Sequence, residues 1–132
     1  MNIINLLKKL NKKAIKNGDV PVSCIILKNN RIISKAYNKR NKLKDPLAHA
    51  EILAIKKAAK KLHTYNLMEC DLYVTLHPCN MCEEIIKESK IKKVYYFIEN
   101  NKIINNKISY SKLNTDSEYF SKELSGFFVD KR

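Results

Sequence analysis

The apolar positions set the order of elements along this chain. Ile3, Ile4, Leu6, Leu7, Leu10, Ala14 and Ile15 recur at helical spacing with lysines between them, and Gly18 supplies a stop. Val20–Leu27 is apolar and β-branched, and Arg31–Tyr37 reads as a second strand. Asn29-Asn30 between them predicts a turn, so the two form a hairpin. Asn38–Pro46 is polar and reads as a loop. From His49 to Leu62 the helical period returns through Ile52, Leu53, Ile55, Ala58, Ala59 and Leu62. Asp71–Leu76 reads as a short strand, Pro78 opens a helix running to about Ser89, and Val94–Ile98 is another strand. Glu99–Ser117 is rich in Asn and Lys, where Ile103, Ile104 and Ile108 permit one more strand. Ser117–Phe128 predicts a closing helix with Tyr119, Phe120, Leu124, Phe127 and Phe128 for packing. The order α-β-β-α-β-α-β-(β)-α gives a three-layer α/β/α sandwich around a mixed sheet of about five strands.

A chain of 132 residues without repeats or linkers suits a single domain, 1–132, large enough to bury a core around a site. No apolar run approaches the roughly 20 residues that cross a bilayer. The Lys- and Asn-rich start lacks the apolar stretch of a secretory signal, which makes the cytoplasm the expected location. There, the four cysteines are better read as metal ligands, redox groups or core residues than as disulfides. Cys24 and Cys70 read as core, and His63 as a solvated residue at a helix end. The formal charge of +13, from 26 Lys+Arg against 13 Asp+Glu, suits a polyanionic partner such as RNA. Only Arg31, Arg40 and Arg132 are arginines, however. Abundant Lys, Asn and Ile carry the codon bias of an AT-rich genome, so charge alone leaves both origins open.

Two fragments carry chemistry: Ala48-His49-Ala50-Glu51 and Pro78-Cys79-Asn80-Met81-Cys82. Each follows a loop or strand and opens a helix. A catalytic zinc takes three protein ligands and keeps a fourth position open, where it acidifies water to a pKa of about 7. Cys79 and Cys82, one helical turn apart, can aim both sulfurs at one ion, with His49 arriving from another helix start. The positive ends of both helices favour ionised sulfur. Glu51 lies too close to His49 to ligate beside it and is placed to move protons. A lone C-x-x-C would also serve a structural zinc or a redox pair. A structural zinc needs a fourth ligand that no second C-x-x-C or C-x-x-H supplies, and a redox pair needs neither His49 nor Glu51. H-x-E followed by P-C-x-x-C is the signature of the zinc deaminases.

The residues then resemble a known family. Val20-Pro21-Val22, Asn38, Asp45-Pro46-Leu47-Ala48-His49-Ala50-Glu51 and Leu72-Tyr73-Val74-Thr75-Leu76-His77-Pro78-Cys79-Asn80-Met81-Cys82 look like the bacterial tRNA-specific adenosine deaminases, of the cytidine deaminase-like superfamily. The likeness runs from about residue 2 to 98 and resumes at Leu124-Ser125-Gly126-Phe127-Phe128 and Lys131-Arg132. It implies a cytidine deaminase-like fold, one zinc per subunit, a homodimer, and conversion of a tRNA wobble adenosine to inosine. It also implies that Asn38 and the backbone at Ala50 hold the base, that Val22 lines the pocket, and that Phe127, Phe128, Lys131 and Arg132 meet the flanking nucleotides. The chain departs from that pattern where His77 replaces the family's Glu and where Ser23-Cys24 replaces Gly-Ala. It departs again where Asn100–Asn106 stands in place of a Gly- and Lys-rich loop.

Other functions fit the same residues. A free-base or nucleotide deaminase of guanine or cytosine type would share the zinc chemistry, and Tyr65-Asn66-Leu67 looks somewhat like the guanine enzymes. An RNA-binding subunit merely stabilised by zinc would not require Glu51. A member editing cytidine in RNA would use Asn38 equally well.

Overall fold

The computed structural model describes residues 2–100 and 108–130. Helix α1 (Ile3–Lys16) starts where the Asn2 side chain accepts the Asn5 N–H at 3.1 Å. It ends as its pattern predicts. Gly18, at φ 77°, donates to Ile15 C=O, and Asp19 N–H reaches back to Ala14 C=O, a closure that needs the left-handed backbone glycine adopts freely. Strands β1 (Ser23–Lys28) and β2 (Arg31–Tyr37) form the expected hairpin. Asn29 and Asn30, at φ 52° and 63°, make the doubly left-handed turn that matches the twist of the strands.

The segment 38–46, expected as plain loop, contains a short helix, α2 (Arg40–Leu43). Its polar sequence hid it, because the cap comes from a distance: the Asp19 carboxylate accepts Asn41 N–H at 2.6 Å and Lys42 N–H at 3.2 Å. Helix α3 (Ala50–Leu62) follows and closes on His63, exposed as anticipated and at φ 55°. Then come β3 (Cys70–Leu76), α4 (Asn80–Glu88), β4 (Lys93–Ile98), β5 (Ser109–Lys112) and α5 (Ser117–Asp130). Of the residues that permitted a strand after β4, Ile108 is buried just before β5, and Ile103 and Ile104 lie outside the described residues.

The sheet order is β2-β1-β3-β4-β5, with β1 antiparallel to both neighbours and β3, β4 and β5 mutually parallel. Alternation along the strands builds two cores. Val22, Cys24, Ile26, Leu72, Val74 and Val94 pack with Ala50, Ala54, Ala58 and Ile86 of α3 and α4. Ile25, Leu27 and Phe97 meet Leu7 and Leu10 of α1 and Phe120 of α5 on the other face. The three-layer sandwich is therefore present. Cys24 and Cys70 are core residues, as their isolation in the sequence suggests.

This topology concentrates four chain segments at one edge of the sheet. The carboxyl ends of β2, β3 and β4 and the amino end of β1 all finish there, since Ser23 pairs Tyr37 and Leu76 pairs Ile98. Helices α3 and α4 both begin at that edge. Ligand sites in α/β sheets favour the crevice outside the carboxyl ends of strands.

Of the five residues expected to pack from the closing helix, Phe120 is the buried one, its ring 5.0 Å from that of Phe97. Phe120→Ala is expected to cost about 3–5 kcal/mol, read as a lower urea midpoint for the metal-free chain.

Candidate metal centre

His49 and Cys79 are not the first residues of their helices but the residues that cap them, α3 beginning at Ala50 and α4 at Asn80. Helix α4 thus starts two residues later than Pro78. The capping position matters chemically, because the first N–H groups of a helix lack intrahelical partners and face the cap. The His49 side chain does not satisfy those of α3. Asn38 does so from the end of β2, its Oδ1 accepting Ala50 N–H at 2.8 Å in a buried contact. Asn38 N–H donates to Val22 C=O and Lys39 N–H to Ala48 C=O, which stitches the hairpin end to the start of α3.

The main chain at Ala50, expected to help hold a base edge, meets Asn38 here: its N–H donates to Asn38 Oδ1. Val22, expected to line the pocket, is buried in the core packed against α3.

The metal-binding donors of His49, Cys79 and Cys82 all lie within 4.8 Å of one another. One ion with bonds of about 2.0 Å to nitrogen and 2.3 Å to sulfur bridges donors this close. The set is borderline-soft, one imidazole and two sulfurs, as zinc prefers, and the electrostatics suit it. The Cys79 thiol is drawn down to about 5, mainly by the hydrogen bond from the Cys82 side chain. Burial opposes this, and main-chain N–H groups at the start of α4 add to it. Cys82, the donor, is pushed far up by that bond, then by burial and the charge of Glu51. Two sulfurs sharing one proton form a thiolate ligand ready for a cation, which then displaces the second proton.

Glu51 sits in the first turn of α3 and is buried. Its charge reaches Cys82, Cys24 and Tyr110, so it occupies the same space as the donor set without being one of the three donors. Beneath it, burial and then Glu51 hold the Cys24 thiol protonated. Ser23, the other residue standing where the family has small ones, turns away from the site, donating to Leu7 C=O of α1 at 3.1 Å.

Asn38 also lines a recess of about 380 Å³ with Gly18, Asp19, Val20, Arg40, Asn41 and Phe127. The structure thus brings Phe127 of α5 beside Asn38. Phe128 is half exposed, its ring 5.5 Å from that of Phe127. Lys131 and Arg132 lie outside the described residues.

Residues 2–98 match the model of the cytidine and deoxycytidylate deaminase zinc-binding region. The chain belongs to this zinc-binding deaminase family. Within it, the chain is 53% identical over 85 residues to a tRNA-specific adenosine deaminase of Aquifex aeolicus, a match covering 64% of this chain and 56% of that one. It is 40% identical over 130 residues to one from Buchnera aphidicola, covering 87% and 79%. The chain spans little more than half the length of several curated relatives it matches, 53% to 59%. A solved structure from work on A-to-I editing by tRNA deaminases at the wobble position superposes with a TM-score of 0.83 at 25% identity, over 92% of this chain and 97% of that one. Guanine deaminase from Bacillus subtilis matches at 0.67 and 36%, over 75% and 66%. The deaminase family's zinc therefore has its His/Cys/Cys set in this chain.

Sequence reasoning missed two groups beside the metal centre, Glu83 and Tyr110, whose hydroxyl and carboxylate meet at 2.6 Å. Glu83 stands four residues after Cys79, on the same helix face, and that spacing was its available signal.

Asn38→Ala leaves Ala50 N–H buried without its acceptor and is expected to cost about 1–3 kcal/mol before any substrate is present. Asn38→Asp keeps an acceptor at the helix start and is expected to recover most of that loss. Urea unfolding of the metal-free variants measures both.

Proposed function

We propose that the chain is a zinc-dependent hydrolase converting the wobble adenosine of a tRNA anticodon to inosine, with release of ammonia. The observation that carries the chemistry is the buried Glu51 carboxylate beside a His49, Cys79, Cys82 donor set that does not use it. Zinc held by those three residues supplies, when bound, an acidified water as nucleophile near pH 7. Glu51 accepts the proton of the attacking water, delivers it to a ring nitrogen of the base, and assists departure of ammonia. Cys24 and Val22 belong to the core packed against α3, and Glu51 is itself buried there, away from bulk water.

Asn38 would hold the base by its amide nitrogen, since its oxygen is engaged by Ala50. An anticodon base leaves its stack to enter such a site. The recess shared by Asn38, Arg40 and Phe127 supports this reading: a cation and an aromatic ring beside the base-binding amide suit a phosphate and a flanking base. Phe128, Lys131 and Arg132 continue that surface in the same proposal. The wobble-position substrate is favoured over a free base by the relatives named for tRNA and by the charge of +13, of no use to a small-molecule enzyme. A homodimer in the cytoplasm completes the reading. Among the described residues no helix is long and apolar enough to cross a membrane, and Leu43 and Leu47, 51% and 55% exposed, offer apolar surface to a second subunit.

The test is a synthetic anticodon stem-loop carrying a wobble adenosine, assayed beside free adenosine, cytidine and guanine. Inosine in the stem-loop alone is expected. Turnover of free guanine alone would move the protein to base salvage, the direction in which the Bacillus guanine deaminase likeness points. Glu51→Ala is expected to abolish turnover while one zinc per chain remains, whereas Cys82→Ala loses the metal as well, both read by metal analysis.

A further inference from the structure

The segment that carries the two cysteines is held at both ends by one ring. Tyr110 comes from β5, at the sheet edge, where it pairs with Val94 of β4. Its hydroxyl donates to Glu83 Oε2 at 2.6 Å, within the range of a charge-assisted O–H···O⁻ bond. Glu83 is 6% exposed, and a carboxylate buried to that degree requires such a partner. It is also tied to the metal ligands by the chain itself, because Glu83 N–H donates to Cys79 C=O at 2.9 Å, a bond of the first turn of α4. Moving Glu83 moves Cys79 and Cys82 with it.

The other end of the segment rests on the same side chain. The His77 ring stacks on Tyr110 with centroids 4.3 Å apart and an interplanar angle of 30°, and meets the Tyr96 ring edge-on at 4.7 Å. His77 Nδ1 lies 3.2 Å from Pro78 O, and Asn100 Nδ2 donates to His77 C=O at 2.8 Å. The residue two before Cys79 and the residue one after Cys82 are therefore both seated on Tyr110. The hydroxyl proton is firmly held: burial first, then Glu83, raise the Tyr110 pKa, and Glu51 and Cys82 add to the rise.

We infer that Tyr110 is a positioning residue for the metal centre, its hydroxyl bond to Glu83 setting where the Cys79 and Cys82 sulfurs stand. The inference rests on the zinc reading above and deepens it. Outer partners that fix metal ligands in other proteins change affinity by about 10–100-fold when removed. A ring that only filled space would tolerate loss of its hydroxyl, so the hydroxyl is the group to remove.

Tyr110→Phe keeps the stack on His77 and deletes the bond; Glu83→Ala deletes the acceptor, and Glu83→Gln restores one. Zinc affinity of the folded full chain is measured by competition with a chromophoric chelator, and the thiolate-to-metal band is recorded with cobalt(II). Tyr110→Phe and Glu83→Ala are each expected to weaken zinc by about tenfold and to shift the cobalt band. The double variant is expected to be no weaker than the worse single one, and Glu83→Gln to recover most of the affinity. Wild-type affinity in Tyr110→Phe, or losses that add in the double variant, would overturn the inference while the parent chain still binds one zinc. A parent chain that takes up no zinc would overturn the metal reading itself, and this inference with it.

Discussion

Two helices must begin at the same edge of the sheet, and most of the site follows from that constraint. A helix start leaves main-chain N–H groups without partners, which makes it a place for anions and for polar side chains brought from elsewhere. Helix α3 presents such a start to Asn38, and α4 presents one to Cys79. The antiparallel β1 and the parallel pair β3 and β4 bring both starts to the edge where Val22, Asn38 and His77 lie. Packing enforces the arrangement: alanines at 50, 54 and 58 let α3 approach the strands closely. Small residues there are as necessary to the site as the ligands they position.

The same constraint decides what was legible in the sequence. Apolar patterning and start signals such as Pro78 made the long helices and four of the strands legible. The zinc donors were legible because their spacing is dictated by metal geometry, and Glu51 because it sits where a ligand cannot. The short helix α2 was not legible, since its N-terminus is satisfied by Asp19, more than 20 residues away in the chain. Nor was the pairing of Ala50 N–H with Asn38, a helix cap supplied from 12 residues away in the chain. Glu83 and Tyr110 escaped for a related reason: β5 is a strand of four residues with an exposed, polar pattern, held by its neighbour β4 more than by its own apolar face.

His77, one of the departures from the family pattern, sits in a cluster of rings beside the metal centre. His77, Tyr110 and Asn100 are close together, and Tyr96 joins them through its ring while its hydroxyl donates to Glu99 at 2.7 Å. The His77 imidazole is buried against two rings, Tyr96 from β4 and Tyr110 from β5. Strands β4 and β5 are thus coupled by packing to the segment that leads into Cys79.

Asn38 joins folding and, in the function proposed above, recognition in a single amide. Its oxygen is spent on α3, and a protein that needed only a helix cap could use Ser, Thr or Asp at that position. An amide differs from those by carrying two N–H donors on the far side of the same plane, fixed in direction once the oxygen is bound. Because the oxygen is anchored in the core while the residue also lines the recess with Arg40 and Phe127, that donor pair is oriented before any ligand arrives. Binding then costs little additional side-chain ordering. In the function proposed above, the cap that stabilises the helix carrying Glu51 is also the group that would hold the base.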